Sequence, residues 1–229
     1  MKLLTVENAK TVKGEKKGIL TGILYLAPHT LANGVFNTCP WSDAACRSVC
    51  LYTAGRGRFD KIQEARIRKT QFLIENKTAF ITQLYLDIGA LVRKAIKLGA
   101  TPAIRLNGTS DIRWYTKEYG EIPTKFPDVQ FYDYTKEYAR VIENTLPNYH
   151  LTYSRNSVNT SNCVDILKRG YNVAAIFRGE LPETLWGYPV ISGDEDDVRF
   201  LDPSPVVVGL KAKGDARSST DSIILDAVA

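Results

Sequence analysis

Cys39, Cys46 and Cys50 fall within one short run, NTCPWSDAACRSVCLY, and they are three of the four cysteines in the chain. Clustered thiolates in a polar, loop-like segment are natural ligands for soft and borderline metals. The spacing is C-x6-C-x3-C. Three thiolates hold three irons of a 4Fe–4S cube and leave the fourth iron open to a substrate or small cofactor. With a fourth protein ligand they hold zinc tetrahedrally instead. His29 and Cys163 are the candidates for that ligand. An iron–sulfur centre is the first expectation and zinc the alternative. Pro40 stiffens the exit from Cys39, and Cys46 and Cys50 share a face if the segment between them is a helical turn. Cys163 sits beside Val164, Ile166 and Leu167, a setting that equally suits a small core residue.

Other groups that can do chemistry gather where strands are expected to end. The run LNGTSDIRW places Asn107, Gly108, Thr109 and Ser110 on a loop, where exposed amides and hydroxyls suit the amine or carboxylate of a bound cofactor. The same run reads as an Asx turn with Ser110 or Asp111 as a helix cap. Asp111, Asp133, Arg155 and Glu180 are the catalytic candidates, one from each of several strand ends. Arg47, Arg56, Arg58, Lys61, Arg66, Arg68 and Lys69 form the densest basic stretch, which suits phosphates or a nucleic-acid backbone, or else is a solvated helix face. Arg56 and Arg58 stand out, because the glycine turn at 54–57 holds them close to the cysteine loop. The run LKAKGDARSS, Leu210–Ser219, can grip an anion or simply close the domain. The acidic run GDEDD suits a hard cation or, more simply, a solvated turn. Nucleotide-binding glycine fingerprints, phosphate loops, HExxH and GxSxG are all missing, and two histidines give a histidine-based hydrolase little material.

The elements that must position these groups alternate along the chain. Ile19–Ala27 is continuously apolar and reads as a buried strand ended by Pro28. Helical periodicity runs from Arg58 to about Asn76 and again from Ala79 to Leu98. Strands are expected at Ala103–Leu106, Val129–Tyr134, His150–Tyr153, Asn172–Phe177, Pro189–Ile191 and Pro205–Leu210. Short helices are expected at Lys136–Asn144 and Asn162–Arg169. Repeated strand, loop and helix with wholly apolar strands predicts a parallel α/β fold. A partial or distorted barrel with helices outside and the cysteine loop after the first strand is expected, with an open doubly wound sheet as the alternative. In such folds the site lies at the carboxyl edge of the strands.

A length of 229 residues suits one α/β metal-binding domain at 18–217, with an N-terminal extension at 1–17 and a tail at 218–229. The net charge of +5 is mild, so it suits an anionic partner without demanding one. The start, MKLLTVENAKTVKGEKK, lacks the apolar stretch of a secretory signal, and GILTGILYLAP is too short to span a bilayer. A cytoplasmic protein with no membrane partner and reduced cysteines is expected.

The runs NTCPWSDAACRSVCLYTAGRG, AIRLNGTSDIRW, FYDYTK, LTYSRNS and VVGLKAKGDAR, in that order, resemble a family of phage-encoded proteins designated by a gene-product number and carrying a CP-x5-C-x3-C cluster. That resemblance implies a phage or prophage setting, and so a host-cell cytoplasm. A wider resemblance is to radical S-adenosylmethionine enzymes, which place three cluster cysteines after the first strand of a partial parallel barrel. It implies that Cys39, Cys46 and Cys50 hold a 4Fe–4S cluster and that its open iron binds S-adenosylmethionine. Gly108–Asp111 would be the counterpart of the motif that holds the methionine part, and Arg155 and Glu180 would contact cofactor or substrate. The usual spacing there is C-x3-C-x2-C. Three functions are therefore expected in order. The first is an iron–sulfur, radical S-adenosylmethionine-like enzyme. The second is a metal-stabilised nucleic-acid-associated protein of phage replication or modification. The third is a hydrolase or transferase with a structural zinc site, acting through Asp111, Asp133 or Glu180.

Overall fold

The computed structural model describes residues 1–6 and 14–226. Part of the expected N-terminal extension and the last three residues of the expected tail lie outside that range. Among the described residues the strands are β1 (Leu4–Thr5), β2 (Ile19–Leu24), β3 (Thr101–Arg105), β4 (Gln130–Thr135), β5 (Tyr149–Ser154), β6 (Val173–Arg178), β7 (Thr184–Leu185), β8 (Tyr188–Ser192), β9 (Val207–Lys211) and β10 (Ile224–Asp226). The α-helices are α1 (Ala44–Ser48), α2 (Asp60–Glu75), α3 (Lys77–Lys97), α4 (Ile122–Lys125), α5 (Tyr138–Ile142) and α6 (Thr160–Lys168). The strands pair mostly in parallel, with antiparallel pairs at the edges, and helices flank them. The chain divides into two compact units.

The first unit comprises Met1–Pro40, Asp60–Asp133 and Thr145–His150. Its strand order is β1-β2-β3-β4, antiparallel at β1–β2 and parallel thereafter. All six residues of β2 are buried, as a strand covered on both faces requires. α2 and α3 form the crossover from β2 to β3. Asn76 caps α3 by accepting from the Ala79 N–H at 3.0 Å. Phe80, Leu84, Ile88, Leu91 and Ala95 recur at helical spacing and are the residues α3 buries. Gly22 of β2 lets that helix approach: a Cβ there would stand 2.6 Å from Leu91 Cδ1. Asp87 of α3 accepts from the backbone N–H groups of Leu3 and Leu4, which fixes β1 as an edge strand.

The second unit comprises Trp41–Phe59, Tyr134–Asn144 and Leu151–Ala229. Here the order is β5-β6-β9-β8-β7, parallel except for β7–β8. β9 runs along one edge of β6. On the other edge β5 pairs with Val173 and Ala174, whereas β10 pairs in parallel with Ile176, Phe177 and Arg178. The chain's last described residues therefore occupy the carboxyl half of that edge. The cluster of Val49, Ala216, Ile223 and Ile224 packs there against Ile176.

The longer elements match their expected positions to within a few residues. β1, β7 and β10 were not expected, because two or three residues are too few to show an alternating pattern. No helix among the described residues is long and apolar enough to cross a membrane.

Candidate functional site

The cysteine run falls across the two units, with Cys39 in the first and Cys46 and Cys50 in the second. Cys39 donates through Sγ to the Thr109 carbonyl at 3.5 Å, and its N–H is held by Asn37 Oδ1 at 2.9 Å. Cys46 lies within α1 and packs against the apolar cluster of Val49, Ala216, Ile223 and Ile224. Asp43 caps α1 by accepting from the Cys46 N–H at 2.6 Å. Burial alone would raise the Asp43 pKa, but hydrogen bonds from Ser157 and from the Cys46 backbone outweigh it and hold the carboxyl below its usual range. α1 stops at Ser48, and Cys50 is extended at φ −59° and ψ 134°, so the helical turn expected to align Cys46 with Cys50 is not completed.

Among the described residues no group of three or more His, Cys, Asp or Glu side chains is placed to hold a metal ion. This overturns both the iron–sulfur and the zinc expectation for Cys39, Cys46 and Cys50. The S-adenosylmethionine reading depended on the open iron of that cluster and falls with it, as do all three expected functions that required a metal. The proposed fourth ligands have other surroundings. Cys163 is buried in α6, where its thiol is pushed up to about 12 by desolvation, and its Sγ lies 3.5 Å from Asn159 Oδ1. His29 has φ 39°, and its Nδ1 is 3.4 Å from Thr30 Oγ1.

In the first unit the Leu106–Trp114 loop is built around Asn107. Its Oδ1 accepts from Ser110 Oγ, the Ile112 N–H and Trp114 Nε1 at 2.9, 2.9 and 3.1 Å. Its own N–H and Nδ2 donate to Asp133 at 2.7 and 3.1 Å, and Tyr149 donates its hydroxyl to the same carboxylate at 2.6 Å. Asp133 is 1% exposed, so these donors stand where water would otherwise be. Thr109 donates to the Leu26 carbonyl, and the Asp111 N–H donates to the Thr38 carbonyl at 2.7 Å. Gly108 is required because a Cβ would meet the Leu24 carbonyl oxygen and Ile23 Cγ2 at 2.8 Å. Asn107, Gly108, Thr109, Ser110, Asp111 and Asp133 are thus brought together, in a loop clamped to β2 and β4.

Arg155 and Glu180 belong to the second unit. Arg155 follows β5 and is buried. Glu180 is exposed and pairs with Lys211 at 3.0 Å. Arg178, at the end of β6, pairs with Asp226 at 2.9 Å and donates to the Ser219 carbonyl at 2.7 Å. The acidic run is not the solvated turn expected from its sequence. Asp196, joined by Asp202, flanks Arg199, which is 1% exposed, at 3.0 and 3.2 Å, and Asp194 pairs with Lys213.

The two glycine-bearing basic runs of this unit meet. The turn Gly55–Arg58 is anchored by buried Gly57 and follows buried Tyr52. The turn Gly214–Arg217 is anchored by buried Ala216. Thr53 Oγ1 donates to Asp215 Oδ2 at 2.9 Å, and Gly214, at φ +56°, lies so close to Ala54 that a Cβ would stand 3.0 Å from the Ala54 Cβ. Arg56, Arg58 and Arg217 project from these clasped turns, all exposed, and none forms an ion pair with a described residue. Arg58 lies over the ring of Phe59 with its guanidinium carbon 5.9 Å from the centroid, and Phe59 is 54% exposed. Arg217 was visible in sequence only as part of a basic run, and Phe59 only as a neighbour of Arg58. An arginine–aromatic pair beside a glycine turn is the signal that marks them.

Compared with known proteins, the chain matches the Gene product 88 family over residues 2–224, and it belongs to that family. This agrees with the resemblance to a phage gene-product family, and nothing supports the wider one to radical S-adenosylmethionine enzymes. No curated protein and no solved structure matches it.

Proposed function

We propose that this member of the Gene product 88 family binds single-stranded nucleic acid through the clasped turns of its second unit. The carrying observation is the trio of exposed arginines without ion-pair partners, Arg56, Arg58 and Arg217, on two turns locked against each other. Elsewhere in the same unit Lys211, Lys213 and Arg178 are paired with carboxylates. Three unpaired guanidiniums on short, anchored turns present a local positive field for phosphates. Phe59 adds an apolar face beside them. Exposed arginines tracking a backbone and an exposed ring for base stacking are what single-strand binding uses.

The test is fluorescence anisotropy with a labelled oligothymidine and with a duplex of equal length. The single strand is expected to bind more tightly. Phe59→Ala should cost about 1–3 kcal/mol on the single strand, the range for loss of one stacked base. Equal affinity for the duplex, with no effect of Phe59→Ala, would remove the stacking role. No binding of either oligonucleotide in low salt would remove the function.

A further inference from the structure

Arg155 is treated differently from the other buried arginine described above. Arg199 is held between two carboxylates, Asp196 and Asp202. Arg155 is 7% exposed, and the side-chain bond it makes is from Nη1 to the Ser222 carbonyl at 2.8 Å. Its Nε is buried without an acceptor, and no described carboxylate pairs with it. Among the described residues the Nε–Nη2 edge, which binds oxyanions side-on with two parallel hydrogen bonds, has no protein acceptor.

The surroundings do not supply the missing anion. Asp43 is engaged by the Cys46 N–H through one oxygen and by the Ser157 N–H and hydroxyl through the other. Cys163 is a buried, protonated thiol. Burial pulls the Arg155 pKa down, with Cys163 and Asp43 opposing it only in part. Asn156, also buried, turns its Oδ1 to the Val158 N–H, so its amide nitrogen remains available as a further donor. The site follows the carboxyl end of β5, where parallel α/β folds bind ligands. A buried guanidinium whose Nε–H has no acceptor is costly unless an anion completes it.

We propose that Arg155, assisted by Asn156, is the receptor for the oxyanion of a small ligand, a carboxylate or a phosphate, at the carboxyl end of β5. The proposal does not rest on the nucleic-acid reading, because it uses none of Arg56, Arg58 or Arg217. The side-on edge of the guanidinium takes two oxygens of the anion, and the backbone carbonyl of Ser222 holds the opposite nitrogen in place.

The test uses the full chain in chloride buffer at constant ionic strength, titrated by calorimetry with inorganic phosphate and separately with acetate. One of the two is expected to bind saturably at one site per chain and to raise the melting temperature. The triple variant Arg56→Ala, Arg58→Ala, Arg217→Ala should retain that binding, which separates this proposal from the preceding one. Arg155→Met should weaken it at least tenfold while leaving the anion-free melting temperature unchanged or raised, because an uncompensated buried charge is removed. Arg155→Lys keeps the charge but loses the fork and should also bind weakly. If the Met variant does not fold, the wild-type Arg155 Nε–H NMR resonance decides the matter, since it should move on titration with the anion that binds. No saturable binding of either anion would overturn the proposal. So would an Arg155→Met variant that melts lower yet binds the anion as wild type does, which would make Arg155 a strut for Ser222.

Discussion

Asp133 is a buried strand carboxylate whose hydrogen bonds tie it to the loop after β3. The Tyr149 hydroxyl and two donors of Asn107, the hub of that loop, converge on it. Asp133→Asn would turn an amide N–H toward at least one of those donors. The expected loss is about 1–3 kcal/mol of stability, the penalty for a buried polar group facing the wrong partner. Urea unfolding measures it, and an unchanged midpoint would contradict the assignment. Cys163 is the second case. Its thiol titrates near 12 in the folded chain, above the ordinary thiol value of 9.0, so the folded chain resists ionisation. The stability this group contributes is complete below pH 9 and is lost as pH rises from there toward 12. The slope is about 1.4 kcal/mol per pH unit for one proton. Stability of Cys163→Ala should therefore fall less steeply than wild type above pH 9. In native protein Cys163 should also resist alkylation while Cys39, Cys46 and Cys50, all partly exposed, react. Parallel pH slopes and prompt labelling of Cys163 would contradict this.

At the scale of elements, the two clasped turns form the working unit of the proposed surface. Gly214 is there for a conformational and a steric reason: its φ is +56°, and a Cβ would press on the Ala54 Cβ at 3.0 Å. Gly214→Ala should cost about 1–2 kcal/mol, the penalty for placing an L-residue in the left-handed region. It should weaken oligonucleotide binding with no change of charge. Binding at wild-type strength in a destabilised Gly214→Ala chain would show that the clasp does not set the surface. Much of the element order was legible, and the reasons are specific. β2 is continuously apolar, and α3 repeats Phe80, Leu84, Ile88 and Leu91 at helical spacing, so local pattern and burial agree. β10 was invisible, because its pairing with β6 is a long-range event that a three-residue run cannot announce. The cysteine reading failed for a local reason. The helical turn that would put Cys46 and Cys50 on one face is not completed, because α1 ends at Ser48, and no group of metal-holding side chains forms among the described residues.

At the scale of the molecule, a net charge of +5 is too small to carry binding by itself. What matters is which cations lack partners, and that is fixed by folding. Arg56 and Arg58 could be singled out from their glycine turn. Arg217 joins them only because Thr53 reaches Asp215, 162 residues away in the chain. Metal ligation was the strongest sequence signal, yet no group of three or more His, Cys, Asp or Glu is placed to hold a metal among the described residues. The match to the Gene product 88 family, over residues 2–224, extends over both units.

The most direct measurement is the salt dependence of oligothymidine binding by wild type and by the triple variant Arg56→Ala, Arg58→Ala, Arg217→Ala. Single strands lose about 0.7 in the slope of log affinity against log salt for each phosphate neutralised, so three arginines predict a slope smaller by about 2 in the variant, with weaker binding throughout. Identical slopes and affinities for the two proteins would contradict the assignment of these turns as the nucleic-acid surface.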